Sequence, residues 1–270
     1  VLIDDVLLRE QNLATPAKKP VGDVEIDWNH PLTDGLHTAL LFDNPTNFND
    51  VAGRRDWQSY NDAIDIVPDN EGYGLVADVG GASTDAYIGL ADGKGTFTEA
   101  VGVKPFSMLF IFKPRSFGGG GFGRIFNSNS VFADTDGIDI WMNQNNDTIY
   151  FKMGTITFDL GDINISSNLD KWWHVTMRRW PSGADDDNNG RMYVSAGVIN
   201  GTITSGISPP ETLYQGSIDG GNTNQIGNRG DETRQFDGEF LLAYMWVDRH
   251  LLGSERDRLL ADPYQILKPA

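Results

Sequence analysis

The 270-residue chain contains no cysteine. This absence excludes disulfide bonds, thiolate metal sites and a cysteine nucleophile. Basic residues are scarce as well: 21 Lys and Arg stand against 38 Asp and Glu, which gives a formal net charge of −17. A surface of this sign repels phosphate backbones, so nucleic acid is not an expected partner. Hydrophobic residues at 39% and aromatic residues at 11% nevertheless provide enough apolar side chains for a globular domain.

Long hydrophobic runs are also missing, and none reaches the length of a membrane-spanning helix. We therefore expect no membrane partner. The opening segment Val1-Leu2-Ile3-Asp4-Asp5 does not read as a signal peptide, because acids interrupt its apolar run. The acids are mostly aspartate, which favours turns, rather than glutamate, which favours helices. This imbalance predicts many loops and few helices.

The dominant pattern is a repeated alternation with period two, which is typical of β-strands. In Phe106–Lys113 both alternating sets are largely apolar, which predicts a central strand covered on both faces. Further alternating segments are Ile138–Asn143, Thr148–Met153, Trp173–Arg178, Arg191–Ala196 and Glu239–Trp246. Gly, Asn, Asp and Pro connect these segments, and no long helical pattern separates them. The pattern predicts an all-β, antiparallel jelly-roll sandwich.

One short C-terminal helix is expected. Ser254 is placed to cap its N-terminus, and Asp257 completes a capping-box pattern. Leu259 and Leu260 would face the core, and Pro263 would stop the helix.

Residues 1–23 differ from the rest and are interpreted as an extended N-terminal arm and linker, with one domain over residues 24–270. A linker that contains Pro16 and Pro20 follows the apolar start of the arm. The arm either lies against its own domain or docks on a neighbouring protein. The residues that would make the docking contact are Val1, Leu2, Ile3, Val6, Leu7, Leu8, Lys18 and Lys19.

Four blocks occur in an order that resembles laminin-G-like members of the concanavalin A-like lectin superfamily. They are Pro105–Pro114, Trp172–Met177, Gly190–Gly197 and the stretch from Phe236 to Glu255. The resemblance implies a concanavalin A-like sandwich. Ser195 stands where that family usually has Asn or Asp, so no ligand is carried over from the family.

The segments near the two ends, Ile26–Leu36 and Asp262–Pro269, are similar to laminin-G-like proteins encoded by tailed bacteriophages. This similarity implies a virion structural protein, such as a capsid decoration, head-fibre or tail component. Its location would be the particle surface, and its partners would be other virion proteins and further copies of itself. The alternative is a lectin-like module that binds a host glycan.

Catalysis is not expected. Glucanases on this fold carry paired carboxylates in an E-x-D-x-x-E pattern, and Glu25-Ile26-Asp27 is followed by Trp28-Asn29-His30 instead of the partner Glu. The four histidines show no metal-binding spacing, and His174 is expected to pair within its sheet. The glycine run Gly118–Gly121 lacks the Lys and the following helix of a phosphate-binding loop.

No cofactor is predicted, with calcium at the acidic loop Asp185–Gly190 left as an alternative. Three aromatic residues with polar neighbours are candidates for stacking on a sugar ring: Trp57, Tyr60 and Trp141. The competing interpretation is that Trp141 fills the second layer of the sandwich, since aromatic residues dominate β cores.

Overall fold

The computed structural model describes residues 23–44, 47–53, 57–60, 64–69, 71, 74–80, 86–90, 104–128, 137–154, 156–180, 191–207, 224–229 and 233–270. The docking residues predicted in the arm, from Val1 to Lys19, lie outside this part of the chain. The acidic loop Asp185–Gly190, proposed as a calcium alternative, lies outside it as well.

The regular secondary structure of the described chain is almost entirely β-strand, with a single α-helix and three 3-10 turns. The strands are β1 (Val24–Ile26), β2 (Leu36–Asn44), β3 (Asn47–Asp50), β4 (Trp57–Tyr60), β5 (Ile64–Pro68), β6 (Leu75–Val79), β7 (Tyr87–Leu90), β8 (Phe106–Pro114), β9 (Arg124–Asn127), β10 (Ile138–Asn143), β11 (Thr148–Met153), β12 (Ile156–Asp159), β13 (Trp173–Trp180), β14 (Arg191–Val198), β15 (Ile203–Ile207), β16 (Gln225–Ile226), β17 (Gly238–Val247) and β18 (Leu267–Pro269). The 3-10 turns are Pro31–Thr33, Gly119–Gly121 and Ser166–Asn168, and the α-helix is α1 (Gly253–Ala261).

Two antiparallel layers form a β-sandwich, as the alternation predicts. The first sheet has the order β3-β2-β17-β8-β13-β14-β15, and β6 pairs with one end of β17 and with β5. The second sheet has the order β4-β7-β16-β9-β10-β11-β12. β3 joins the layers, because Leu40 pairs with Asp50 on one side and Phe48 pairs with Trp57 on the other.

The core lies between the sheets, where alternate residues of facing strands meet. Phe106, Met108, Phe110 and Phe112 on β8 point into it, and all nine residues of that strand are buried. The second sheet contributes Ile138, Ile140, Met142, Ile149 and Phe151. Burial of each such side chain stabilises the fold by about 1.5–3 kcal/mol, which makes this cluster the main source of stability.

A second apolar cluster covers the outer face of the first sheet. Leu109 and Ile111, the other alternating set of β8, lie in it together with Tyr244 and Trp246 of β17. Its cover consists of α1 and the small β1-β18 sheet. The polar ends of the rings are paired, since Trp246 Nε1 donates to the Leu32 carbonyl at 2.7 Å and the Tyr244 hydroxyl to the Pro263 carbonyl at 2.9 Å. The prediction that this strand is covered on both faces is confirmed.

The helix occurs where it is predicted, but its cap is different. It begins at Gly253, and Glu255 Oε2 accepts a hydrogen bond of 2.8 Å from the Leu252 backbone N–H. The prediction of Ser254 as the cap with Asp257 as its partner is therefore wrong by two residues. The helix ends at Ala261, two residues before Pro263. Leu259 is fully buried, whereas Leu260 packs against the cluster with part of its surface exposed.

Candidate functional site

The outer face of the second sheet carries a row of polar side chains that is interrupted at Gly89. Strand pairing places Lys152 opposite Asp139, Asp139 opposite Asn127, and Asn127 opposite Gln225. The row continues through Gly89 to Gln58 on β4. Their neighbours along each strand point into the core, so period-two geometry directs this row outward.

A second row, two residues along each strand from the polar row, carries the aromatic side chains. Tyr60 pairs with Tyr87, and Trp141 pairs with both Arg124 and Tyr150. Tyr87 precedes Gly89 by two residues, and Trp141 follows Asp139 by two residues. β7 and β10 run in opposite directions, because three antiparallel pairings separate them. The tyrosine pair at β7 and the Trp141 group at β10 therefore lie on the same side of the polar row. The two aromatic groups are about 14 Å apart, from a strand spacing of about 4.8 Å.

At one end of this aromatic row, Tyr60 and Tyr87 stack with ring centroids 4.5 Å apart and planes at 12°. Gly89 makes this arrangement possible, because a Cβ there would lie 2.8 Å from Cε2 of Tyr87 and 3.0 Å from Cε2 of Tyr60. Tyr60 is partly exposed, and Tyr87 is buried. The rings therefore lie over the bare backbone of β7 and present an aromatic surface on the sheet.

At the other end, the Trp141 ring lies between Tyr150 and Arg124. Its centroid is 5.1 Å from that of Tyr150 with nearly parallel planes, and the Arg124 guanidinium lies 4.8 Å from the ring centroid. Cation–π and stacking contacts fix the indole in this position. Trp141 is buried, while Tyr150 is partly exposed.

A buried ion pair connects the two rows. Arg124 Nε lies 2.9 Å from Asp139 Oδ1, and both side chains are nearly inaccessible to solvent. Burial raises the pKa of Asp139 to about 6, although the charges of Arg124 and Lys152 and a hydrogen bond from Asn127 act in the opposite direction. The pair costs desolvation energy and holds its partners in a fixed geometry.

The structure places the three predicted stacking residues differently. Tyr60 and Trp141 lie on the outer face of the second sheet, in the same row. The prediction of Trp57 as a stacking residue is wrong, because its ring is buried in the core between the sheets. Trp141 is buried, as the competing interpretation expects, but its side chain lies on the outer face of the second sheet rather than between the sheets.

Sequence reasoning missed Tyr87, Arg124, Asp139 and Tyr150. The alternation in β10 and β11 could have indicated Asp139 and Tyr150. Asp139, Trp141, Tyr150 and Lys152 alternate with the core residues of these strands and therefore face outward. Which strands would lie beside them depends on the sheet order, and alternation alone does not provide it.

Other predicted features carry no site in this part of the chain. Gly119–Gly121 forms a 3-10 turn before β9. The described residues contain no group of three or more His, Asp or Glu side chains suited to a metal ion. Within the same ranges, the helix is too short and too polar to cross a bilayer.

No protein-family model matches the chain, and neither does any curated protein sequence. Solved structures do share its fold. Domain 4 of AbnA, a GH43 extracellular arabinanase from Geobacillus stearothermophilus, solved with arabinotriose, has a TM-score of 0.55 and 14% identity. The match covers 84% of this chain and 98% of that domain.

Two longer proteins contain the same fold. The binding domain of Paraclostridial Mosquitocidal Protein 1 matches with a TM-score of 0.59 and 16% identity, over 87% of this chain and 53% of that one. Trypanosoma rangeli sialidase, solved with sialic acid, matches with a TM-score of 0.58 and 16% identity, over 87% and 34% respectively. These likenesses establish the β-sandwich fold, in agreement with the predicted all-β antiparallel sandwich.

Proposed function

We propose that the protein is a non-enzymatic glycan-binding module whose binding surface is the outer face of the second sheet. The observation that carries this proposal is the alignment of the two rows. Sugar rings have apolar C–H faces that pack on aromatic side chains, and hydroxyl groups that bond to amides and carboxylates. The partly exposed rings of Tyr60 and Tyr150 offer the first kind of contact, and the exposed amide of Gln58 offers the second. Asn127, Asp139, Gln225 and Lys152 are buried beneath this surface and support it.

The structural neighbours support this class of ligand. The arabinanase domain was solved with arabinotriose, and the sialidase with sialic acid. The fold by itself does not determine function, so the proposal depends on the residues of the outer face.

The spacing of carboxylates supports binding without hydrolysis. Glycosidases place two carboxyl groups about 5–9.5 Å apart. Asp139 is held in its ion pair, and the next outward carboxylate among the described residues of β10–β12 is Asp159, opposite Tyr150. Asp139 and Asp159 are two strands apart across the sheet and two residues apart along it, so their Cα atoms are separated by roughly 12 Å. We therefore expect no release of reducing sugar from oligosaccharides.

Glycan-array screening of the full chain, followed by calorimetry with an oligosaccharide that binds, tests the proposal. Tyr60→Ala and Tyr150→Ala should each weaken binding at least tenfold, because both rings are partly exposed on the face. Trp28→Ala is the matched control, since that ring is 53% exposed and lies away from this sheet. Absence of binding to every glycan, or equal affinity in all variants, would refute the proposal.

A second function, as a component of the bacteriophage particle surface, is favoured by the terminal strands. The two phage-like segments fold against each other: Ile26 pairs with Leu267, and the Asp27 N–H donates to the Ile266 carbonyl at 2.9 Å. Trp28 is exposed beside this junction. We propose that the protein contacts other virion proteins and further copies of itself here, with the arm of residues 1–20 as the docking segment.

Mass spectrometry of purified particles tests the location, and deletion of residues 1–20 tests the arm. The truncated protein should keep its melting temperature and lose oligomerisation or particle binding. Normal assembly of the truncated protein would exclude the arm as the docking segment, and unfolding would make it part of the domain.

A further inference from the structure

Beyond the aromatic row, the outer face of the second sheet continues into a third row that begins at Phe122. Backbone hydrogen bonds extend the pairing of β9 and β10 past Trp141 and place Phe122 opposite Asn143. Phe122 is partly exposed and belongs to neither apolar cluster, so its ring is not part of the core. Two residues along the strands separate this row from the aromatic row, which is about 7 Å.

An arginine side chain lies over this ring. The Arg234 guanidinium is 5.0 Å from the centroid of Phe122, and its Nη1 lies 3.5 Å from the Gly119 carbonyl oxygen. Gly120, with φ at 61°, makes this position possible, because a Cβ there would overlap Nη1 of Arg234. The Arg234 carbonyl also accepts a hydrogen bond of 3.0 Å from the Arg124 N–H. The backbone and the side chain of Arg234 are therefore both held against the end of β9.

The charge of Arg234 is not matched by a carboxylate. Its side chain is partly exposed, and it makes no ion pair within the described ranges. Arg124 differs in this respect, since its Nε lies 2.9 Å from Asp139 Oδ1. An exposed guanidinium that rests on an aromatic ring keeps its N–H donors available for a carboxylate or sulfate group.

The basic groups near this end of the face act on one another. Burial lowers the pKa of Arg124, Asp139 opposes this effect, and the positive charges of Arg229 and Arg234 lower the pKa further. Three arginines thus gather near one buried carboxylate, on a chain whose net charge is −17. A local concentration of positive charge on such an acidic chain favours an anionic ligand.

We propose that the glycan bound by the outer face is anionic, and that its carboxylate or sulfate group binds Arg234 while a neighbouring sugar ring packs on Tyr150. This inference rests on the proposed glycan-binding function and adds the charge class of the ligand. Phe122 and Tyr150 are two strands apart across the sheet and two residues apart along it, so their Cα atoms are separated by roughly 12 Å. A short oligosaccharide spans this distance.

Glycan-array screening of the full chain should return glycans that carry uronic acids or sulfate groups. Each bound glycan is then compared by calorimetry with the same sugar chain after carboxyl reduction or desulfation. The neutral form should bind at least tenfold more weakly, and the affinity of the acidic form should fall in high salt. Carboxylated and sulfated forms of one sugar chain, compared side by side, identify which anionic group is preferred.

Replacement of Arg234 tests the assigned residue. Arg234→Gln should lower the affinity for the acidic glycan at least tenfold, to the level of its neutral form, and Arg234→Lys should restore part of the loss because it keeps the charge. Arg258→Gln is the matched control, since it removes the same charge from the exposed face of α1, which covers the other sheet. Wild-type affinity is expected for this control.

The outcomes separate this inference from the proposed function. Binding of neutral glycans alone, or equal affinity for the acidic and neutral forms, would overturn the anionic class and leave glycan binding in place. Absence of binding to every glycan would overturn both. Full affinity of Arg234→Gln for the acidic glycan would overturn the role of Arg234. If that variant does not fold, the comparison of acidic and neutral forms on the wild type decides the ligand class.

Discussion

Replacement of His174 by phenylalanine should change how stability depends on pH. The imidazole is buried in the folded protein with a pKa of about 3, against an ordinary value of 6.5. Between these values the unfolded chain binds a proton that the folded chain does not. Stability contributed by the neutral ring is therefore complete above pH 6.5 and is lost progressively as the pH falls below it. His174 lines a cavity of about 240 Å³, which gives phenylalanine room, so the variant should fold.

The size of the effect follows from linkage. Lowering the pH from 7 to 5 should cost the wild type about 2 kcal/mol of unfolding free energy through His174 alone, at about 1.4 kcal/mol per pH unit below 6.5. Asp139 acts in the opposite direction, because its pKa is raised to about 6 and its contribution falls as the pH rises from about 4 to 6. Asp139 is present in both proteins, so its effect cancels in the difference.

Urea denaturation of both proteins at pH 7 and pH 5 measures this difference. The stability of His174→Phe relative to the wild type should increase by about 2 kcal/mol on acidification. An unchanged difference would show that His174 titrates as an exposed histidine does.

Three further predictions concern the sandwich and are tested by urea denaturation. Arg124→Leu should lower the unfolding free energy by about 3–5 kcal/mol, because Asp139 is left buried without its cation; a loss below 1 kcal/mol would mean that solvent reaches the carboxylate. Gly197→Ala should lower the unfolding free energy by about 1–3 kcal/mol, because the added carbon would clash with the Thr202 carbonyl. Gly253→Ala is the control and should be nearly neutral, since no atom lies within 4 Å of the added carbon, and equal effects of the two substitutions would contradict the packing at Gly197. Phe110→Ala should cost about 3–5 kcal/mol, against less than about 0.5 kcal/mol for the exposed Trp28→Ala, and similar losses would place Phe110 outside the core.

The strands could be predicted from the sequence because their physical cause is local. In Phe106–Pro114 every residue is buried, and the two apolar sets enter two different clusters, as their composition indicates. The helix was found for the same reason, but its cap was misplaced. Ser254 is a good capping residue by type, and the choice of Leu252 depends on where the chain leaves β17.

The candidate site was predictable only in part, because it depends on which strands become neighbours. Trp57 and Tyr60 are three residues apart in one short strand, and the sequence does not indicate which of the two faces the core. Arg124 and Asp139 are distant in the chain and meet only because β9 pairs with β10. The cavity that His174 lines is formed by three strands, a turn and the helix, and a lone histidine in a strand does not indicate it.

The position of β17 has a consequence for how the chain folds. This strand, Gly238–Val247, lies between β2 and β8 and pairs with both. The centre of the first sheet is therefore completed by a segment made after more than 230 residues of the chain. Contacts of such high sequence separation form slowly, because the loop-closure entropy must be overcome before the pairing is gained. During synthesis, β2 and β8 remain without their shared partner until β17 has left the ribosome, so the sandwich reaches its native state only after most of the chain has been made.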